Sequence, residues 1–305
     1  MNLINQPPTV KKINAHIAFV AVSCVLAKMQ CYPLVVSLVP HNTETKMKID
    51  DWLKKDILAH AKQCEPQESC GFVVSEYMYG QLIYIPCENV ADDPINFFEI
   101  SPDEFIQAED LGYIVALVHS HPDSAAEKGL PYLSTADREC QLRTQLDFWL
   151  VVDNDIKQFR SIAPLIGRQF ENNKQDCRNI ILDCYMLAGI ELPDQSTYEF
   201  EWFEHSNLYE EGLARCGFEQ IPFDDEPQLG DVILIQVGTD VGNHAGVYLG
   251  NQMMIHHSEG RLSARVPYDG FWLKSTHSIW RHSQWQKLPF TAILNDLAIN
   301  RSSLK

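Results

Sequence analysis

Two histidines and a nearby aspartate are the first side chains in the sequence that could do chemistry together. His119 and His121 end an apolar run, and the period of two along a strand puts both imidazoles on one face. Ser134 suits a helix N-cap, so Asp137 falls in the first turn of that helix. Two imidazoles and a carboxylate form a three-ligand zinc set with a fourth position for water. Glu68, upstream in "CEPQESCGF", is a candidate general base.

A cysteine and a pair of histidines form a second candidate site. Cys177 opens a predicted helix, where aligned peptide dipoles are expected to lower the pKa of a thiol. A nucleophilic thiol also needs an imidazole base, oriented by a third group. Alternation along "HAGVYLG" and "MMIHH" puts His244 and His256 on one face of a hairpin, equally far from Gly250. We therefore expect them to be direct neighbours, with His244 as base and His256 as its orienter, and His257 as second choice.

The first candidate site belongs to a segment that alternates helix and strand, residues 47–160. Apolar residues recur at helical spacing from Ile49 to Ala61. Strand-like runs and the helix after Ser134 follow, the strands being "GFVVS", "QLIYIP", "YIVALVH", "DFWLVVD" and "QFRSIA". The third run is almost wholly apolar, as expected of a central strand. This alternation predicts an α/β domain.

The second candidate site belongs to residues 163–288, where helices come first and strands afterwards. A predicted helix runs from Cys177 to Gly189, whose glycine suits a C-cap, and a second covers about residues 208–216. The strands that follow are "VILIQV", "HAGVYLG", "MMIHH", "RLSARVP" and "HSIWRH". The order predicts an α+β domain, followed by a tail at 289–305 with a short helix.

Composition narrows the class of protein. The chain has 305 residues, enough for two domains, and its 45% hydrophobic and 21% charged residues suit ordinary cores. A net charge of -17 disfavours nucleic acid and anionic membranes as partners. Nine cysteines without a CxxC pair indicate reduced thiols and exclude a zinc ribbon.

Residues 1–46 fit neither domain. Lys11 and Lys12 precede an apolar stretch that resembles an export signal, and Cys24 ends a poor lipobox. Lys28 and Pro33 interrupt the stretch, so no stable membrane span is expected. We interpret this segment as an unstructured extension, with a cleaved export signal or an anchor as alternatives.

The first constellation resembles the JAB/MPN metalloprotease family. Its JAMM signature is an upstream Glu, then His-X-His, then Ser-X-X-Asp, and the segment "ENVADDPINFFEISPDEF" is similar too. The resemblance implies Zn²⁺ bound by His119, His121 and Asp137, with Glu68 as general base and Ser134 stabilising the oxyanion. The loop before Ser134 is longer than the loop typical of the family. Two alternatives follow: the metal site has decayed, or Asp123 or Glu127 in the loop competes as a metal ligand.

The second constellation resembles the NlpC-type family of papain-like cell-wall cysteine peptidases. The resemblance rests on "LIGRQF", the cysteine motif, "LGDVILI", "NHAGVYLG" and "MMIHH". It implies a triad of Cys177, His244 and His256 that cuts peptide stems of peptidoglycan, with the main-chain amide of Cys177 in the oxyanion hole. "DCRNII" departs from the commoner "DCSGLV" pattern, which leaves the substrate preference open.

The order of the two domains resembles that of tail-assembly proteins of lambda-type phages. This resemblance implies a tail-tip peptidase of a phage or prophage that acts in tail assembly or cell-wall penetration. The implied partners are other tail proteins and peptidoglycan stems, and the implied location is the virion tail or the host cytoplasm during assembly. Two alternatives remain: a structural assembly factor with a degenerate metal site, and an NlpC-type hydrolase of the bacterial envelope.

Overall fold

The computed structural model describes residues 47–123, 128–193 and 207–299. The extension and export signal considered for residues 1–46 lie outside the described residues, as does Glu127. Within the described residues, no helix has both the length and the apolar character that crossing a membrane requires.

The first domain is a five-stranded sheet with three helices. Its elements in chain order are α1 (Asp51–Cys64), β1 (Cys70–Glu76), β2 (Leu82–Cys87), α2 (Pro102–Leu111), β3 (Gly112–Ser120), α3 (Thr135–Thr144), β4 (Asp147–Val152) and β5 (Asp155–Phe159). The strand order is β2-β1-β3-β4-β5, and only β3 and β4 run parallel. The apolar run of β3 is therefore central and buried, as the sequence predicts.

Helix α1 covers one face of this sheet. Its buried residues Leu53, Ile57 and Ala61 follow the predicted helical spacing and pack on Val118 and Trp149. The predicted last strand, "QFRSIA", is displaced in the structure, because β5 starts at Asp155. The cause is the tight turn before it, in which Asp153 and Asn154 adopt φ of 54° and 57°.

The second domain combines helices with a six-stranded antiparallel sheet. Its elements in chain order are α4 (Cys177–Leu187), α5 (Leu208–Arg215), β6 (Phe218–Ile221), β7 (Val232–Ile235), β8 (His244–Gly250), β9 (Met253–His256), β10 (Ala264–Pro267), α6 (Gly270–Lys274), β11 (Thr276–His282), a 3₁₀ turn (Trp285–Lys287) and α7 (Thr291–Ala298). The strand order is β10-β9-β8-β7-β11-β6. Helix α4 packs against β8, which brings the start of that helix to the hairpin that carries the histidines.

The register of the β8–β9 hairpin differs from the prediction. Gly246, and not His244, lies opposite His256. The turn at Asn251 and Gln252 has two left-handed residues, and a bulge between Tyr248 and Gly250 shifts the pairing. The shift keeps the two imidazoles on one face, because it moves them by two residues, but makes them diagonal neighbours.

The two domains share one hydrophobic core. Phe148 and Phe159 of the first sheet belong to the same buried cluster as Ile180 and Leu213 of the second domain. Helix α7 lies in this interface: Arg138 Nε of α3 donates to Asp296 Oδ1 of α7 at 2.9 Å, and both side chains are 1% exposed. The first domain is thus packed directly against the second.

Candidate active sites

Two imidazoles and one carboxylate converge at the end of β3. His121 Nε2 lies 3.3 Å from Asp137 Oδ2, and His119 Nε2 lies 3.6 Å from Asp137 Oδ1. One ligand atom from each of the three residues lies within 4.8 Å of the others, and this is the one such cluster among the described residues. The sequence-predicted metal ligands are therefore brought together.

The long loop after His121 supports that imidazole. His121 Nδ1 is 2.8 Å from the carbonyl oxygen of Leu130, so Nδ1–H donates and Nε2 is left for a ligand. Asp123 Oδ1 accepts the N–H of Gly129 at 2.8 Å, which uses this carboxylate to close the loop. Gly129 fits closely, since a Cβ there would lie 2.1 Å from the carbonyl oxygen of His121.

The surroundings of His119 fit a bound cation. This side chain is fully buried, Nδ1 has no hydrogen-bond partner, and Nε2 faces Asp137 Oδ1 at 3.6 Å, beyond ordinary hydrogen-bond distance. Phe98 stacks on the ring with centroids 4.8 Å apart, which fixes its plane. A buried imidazole without a partner is costly, and coordination by a metal would satisfy it. The donor set of two imidazoles and one carboxylate suits zinc, so the residues present fit that ion.

Ser134 and Glu68 also lie at this cluster. Ser134 caps α3 reciprocally: its Oγ accepts from Asp137 N at 3.1 Å, and its own N–H donates to Asp137 Oδ2 at 2.8 Å. The hydroxyl hydrogen of Ser134 is not used in this cap. Glu68 is 8% exposed and feels the charges of His121 and Asp137.

Burial and charge shift the protonation of this cluster in opposite directions. Burial raises the pKa of Glu68 to about 8. Burial opposes a charge on His121, but the hydrogen bond and charge of Asp137 outweigh it and raise its pKa to about 9. Burial lowers the pKa of His119. Without a metal, the cluster therefore holds protons at neutral pH that a metal would have to displace.

Cys177 stands at the first position of α4. Asp176 caps that helix, its Oδ1 accepting from Arg178 N at 2.9 Å and from Asn179 N at 3.1 Å. The cap does not use the N–H of Cys177. The sulfur lies 2.8 Å from the hydroxyl oxygen of Tyr209, and the main chain of Ala245 also hydrogen-bonds to the thiol.

The prediction that the start of the helix lowers the pKa of the Cys177 thiol is wrong. Burial raises the pKa of Cys177 to about 11, and the charge of Asp176 adds to the rise. The hydrogen bonds from Tyr209 and the main chain act in the opposite direction but are weaker. The thiol is therefore protonated at rest and needs a base.

The structure also brings together the predicted base and its orienter. His244 Nε2 lies 2.9 Å from His256 Nδ1, and Ser258 Oγ lies 3.2 Å from the same nitrogen. If His256 Nδ1 accepts from both, His244 carries its proton on Nε2 and keeps Nδ1 free as a base. Trp272 packs on both rings, with centroids 5.8 and 4.5 Å away. His257, the second choice, packs on Phe170 with ring centroids 5.3 Å apart.

Burial keeps both imidazoles neutral. It lowers the pKa of His244 to about 3, with the neighbouring histidines adding to the shift, and that of His256 to about 4. A neutral His244 is the form that accepts a proton. The main chain of Ala245, the residue after His244, hydrogen-bonds to the thiol of Cys177, so the strand that carries the base contacts the nucleophile.

Sequence reasoning missed Tyr209. This tyrosine lies 32 residues after the cysteine it contacts, in the second helix of the domain. No local pattern in "NLYEEGLARC" points to the thiol, and only the packing of α5 shows the contact.

The fold and the two sites define a class of protein that joins a JAB-like domain to an NlpC/P60 domain. Residues 52–162 match the family of prokaryotic homologues of the JAB domain, and residues 167–281 match the NlpC/P60 family. These matches confirm the α/β JAB-like domain and the NlpC-type domain predicted from the sequence, in that order.

Two curated relatives cover most of the described chain. The tail tip assembly protein K of Escherichia phage lambda is 44% identical over 198 residues, which are 65% of this chain and 96% of that protein. The tail tip assembly protein K of Escherichia phage N15 is 37% identical over 235 residues, which are 74% of this chain and 92% of that protein. The chain belongs to the family of tail tip assembly protein K.

Proposed function

We propose that this chain is a peptidase of a phage tail tip whose thiol site hydrolyses peptide stems of peptidoglycan. The observation that carries the proposal is the hydrogen bond of 2.9 Å between His244 and His256, on the hairpin that contacts the thiol of Cys177. A buried nucleophile, a neutral base and a group that orients the base are the parts of a cysteine peptidase. The match to the NlpC/P60 family supports the choice of substrate.

The proposed reaction starts with proton transfer from the Cys177 thiol to Nδ1 of His244. His256 stabilises the resulting imidazolium, because its Nδ1 accepts the hydrogen bond from His244 Nε2–H. The sulfur then attacks the peptide carbonyl carbon, and the N–H of Cys177 donates to the developing oxyanion. The imidazolium returns its proton to the leaving amine, and water hydrolyses the acyl-enzyme.

The metal site is proposed as a second hydrolytic centre of the JAMM type, with His119, His121 and Asp137 holding Zn²⁺. When bound, zinc supplies Lewis acidity, which lowers the pKa of water and polarises a carbonyl. Glu68 would be the general base. Its pKa of about 8 keeps it protonated at neutral pH without the ion, so the charge of a bound ion would have to lower that pKa before Glu68 could accept a proton. The unused hydroxyl hydrogen of Ser134 would donate to an oxyanion.

The biological setting is proposed from the relatives, both of which are tail tip assembly proteins. We infer that this chain assembles with other phage tail proteins, and that it resides in the virion tail or in the host cytoplasm during assembly. An alternative role is a structural assembly factor, which applies only if no metal binds. Its support is that the loop at Leu130 is already held by a hydrogen bond to His121, and that the Asp137 carboxylate already accepts a hydrogen bond in the helix cap.

Digestion of purified peptidoglycan by the full chain tests the thiol site. Cys177→Ala is expected to abolish release of stem peptides, because the nucleophile is lost. Cys184→Ala is the matched control: this second cysteine of α4 is fully buried in the core, so its loss leaves the site intact. Undiminished release by Cys177→Ala would overturn the proposal.

Metal analysis of the full chain tests the metal site. Purified protein is expected to retain close to one zinc per chain, and His119→Ala to retain far less. The full chain is required, since the two domains share one core. A zinc content below half in the parent, not lowered further in His119→Ala, would indicate a degenerate site and favour the structural role.

A further inference from the structure

A phenol touches the sulfur at the proposed thiol site. The hydroxyl oxygen of Tyr209 lies 2.8 Å from Cys177 Sγ, and Tyr209 is only 9% exposed. Tyr209 comes from α5, an element that carries neither His244 nor His256. It is thus an addition to the triad that the sequence predicts.

The helix that carries this phenol is held in place on both sides. Glu210 Oε1 lies 3.1 Å from His277 Nδ1, which ties α5 to β11. Leu213, one turn further along α5, is buried in the shared core. These contacts fix the position of the hydroxyl relative to α4, so its contact with the sulfur is built into the fold.

A hydroxyl donor next to Cys177 favours the ionised form of its sulfur. A thiolate at Cys177 would be buried, and the carboxylate of Asp176 in the preceding residue would repel it. A hydrogen bond from a phenol to an anion is stronger than one to a neutral group, so Tyr209 favours the ionised sulfur over the thiol. The N–H of Ala245 adds a second donor on the hairpin side.

We propose that Tyr209 is a catalytic residue of the thiol site, whose hydroxyl donates a hydrogen bond to the sulfur of Cys177 and stabilises the thiolate until it attacks. The inference rests on the proposed function. The thiol proton moves to Nδ1 of His244, and the phenol keeps its own proton throughout. As the sulfur forms its bond to the acyl carbon, the π electron pair of the carbonyl moves to oxygen, and the phenol loses its anionic acceptor.

The pH dependence of alkylation measures this role directly. The full chain is treated with iodoacetamide at a series of pH values, and modification of Cys177 is followed by mass spectrometry of its peptide. Tyr209→Phe is expected to raise the apparent pKa of alkylation by about one to two units, as loss of a charge-assisted hydrogen bond requires. The kcat for stem-peptide release at pH 7 is expected to fall about 10- to 100-fold, with little change in KM.

Tyr185→Phe is the matched control. It also removes one buried phenol hydroxyl, but that hydroxyl donates to the carbonyl of Gly230 at 2.8 Å, away from the thiol. Its alkylation profile is expected to match the parent. If Tyr209→Phe also matches the parent in both profile and kcat, Tyr209 is a packing residue and the inference is wrong.

A fluorinated tyrosine at position 209 provides a test that does not depend on removing the hydroxyl. The more acidic phenol is a stronger donor, so the apparent pKa of Cys177 is expected to fall, opposite to the effect of Tyr209→Phe. An unchanged profile would overturn the inference even if Tyr209→Phe fails to fold. Failure of the proposed function is distinguishable, because it appears as undiminished peptide release by Cys177→Ala.

Discussion

The buried ion pair between the two domains makes the sharpest prediction about stability. Asp296→Ala leaves the guanidinium of Arg138 buried and without its carboxylate, although Gln141 and the carbonyl of Ile162 still accept from it at 2.9 and 2.8 Å. Removing one partner of such a pair costs about 3–5 kcal/mol. The same carboxylate accepts the N–H of Leu165 at 2.8 Å, and that bond is also lost. We therefore expect a loss near the upper part of that range.

Guanidinium denaturation of the full chain measures this loss. At about 1.4 kcal/mol per factor of ten, a loss of about 4 to 5 kcal/mol lowers the ratio of folded to unfolded chain by roughly a thousandfold to four-thousandfold. Since the core is shared, near-ultraviolet circular dichroism and the fluorescence of the buried Trp149 should show one coincident transition. Asp296→Ala should move that transition as a whole.

Two controls keep the result interpretable. Asp155→Ala breaks an exposed pair with Lys54, in which the side chains are 61% and 43% exposed, and should cost below about 1 kcal/mol. The double variant Arg138→Met with Asp296→Leu removes both charges and should recover most of the stability, because no buried charge is left unpaired. A loss below about 1 kcal/mol in Asp296→Ala, or separate transitions for the two signals, would refute the shared interface.

Three further predictions concern the two sites. Gly246→Ala would bring a Cβ to 2.8 Å from the carbonyl oxygen of Ile255, so the hairpin must shift. The rate of peptide release, measured on peptidoglycan, should therefore fall by about 100-fold. An unchanged rate would show that the diagonal pairing of His244 and His256 is not needed. Zinc must displace a proton from His121, because the pKa of that imidazole is raised to about 9. Zinc affinity, measured by competition with a chromophoric chelator, should therefore rise about tenfold per pH unit up to about pH 9. An affinity that does not change with pH would contradict this. Burial lowers the pKa of His244 to about 3 and that of His256 to about 4, whereas a histidine in the unfolded chain has a pKa of ~6.5. Below pH 6.5 the unfolded chain therefore binds protons at these two positions that the folded chain does not bind. The free energy of unfolding should therefore fall as pH drops from about 6.5 towards 4, and less steeply in His244→Asn.

Local periodicity was sufficient to predict that each pair of histidines shares one face of its strand or hairpin. Alternation along one strand places His119 with His121. His244 and His256 lie on two strands, and they share a face because the observed register differs from the predicted one by two residues. The Ser134 cap follows from local chemistry in the same way, since capping involves residues only three apart. These features depend on neighbours in sequence, which is why the sequence reveals them.

Features that depend on packing could not be predicted. The bulge that moves His256 opposite Gly246 has no distinct residue pattern, and the effect of burial on the Cys177 thiol is a property of the folded environment. The contact of Tyr209 with the sulfur and the burial of Asp296 against Arg138 join residues far apart in the chain. Such contacts arise only when helices α5 and α7 pack.

A trapped acyl-enzyme tests the central claim most directly. The full chain is mixed with a peptidoglycan stem peptide, quenched in acid, and the peptide containing Cys177 is weighed by mass spectrometry. The account predicts a mass gain equal to the acyl portion of the substrate, on that cysteine and on none of the other eight. Release of product with an unmodified Cys177 at every quench time, and equal release by Cys177→Ala, would contradict it.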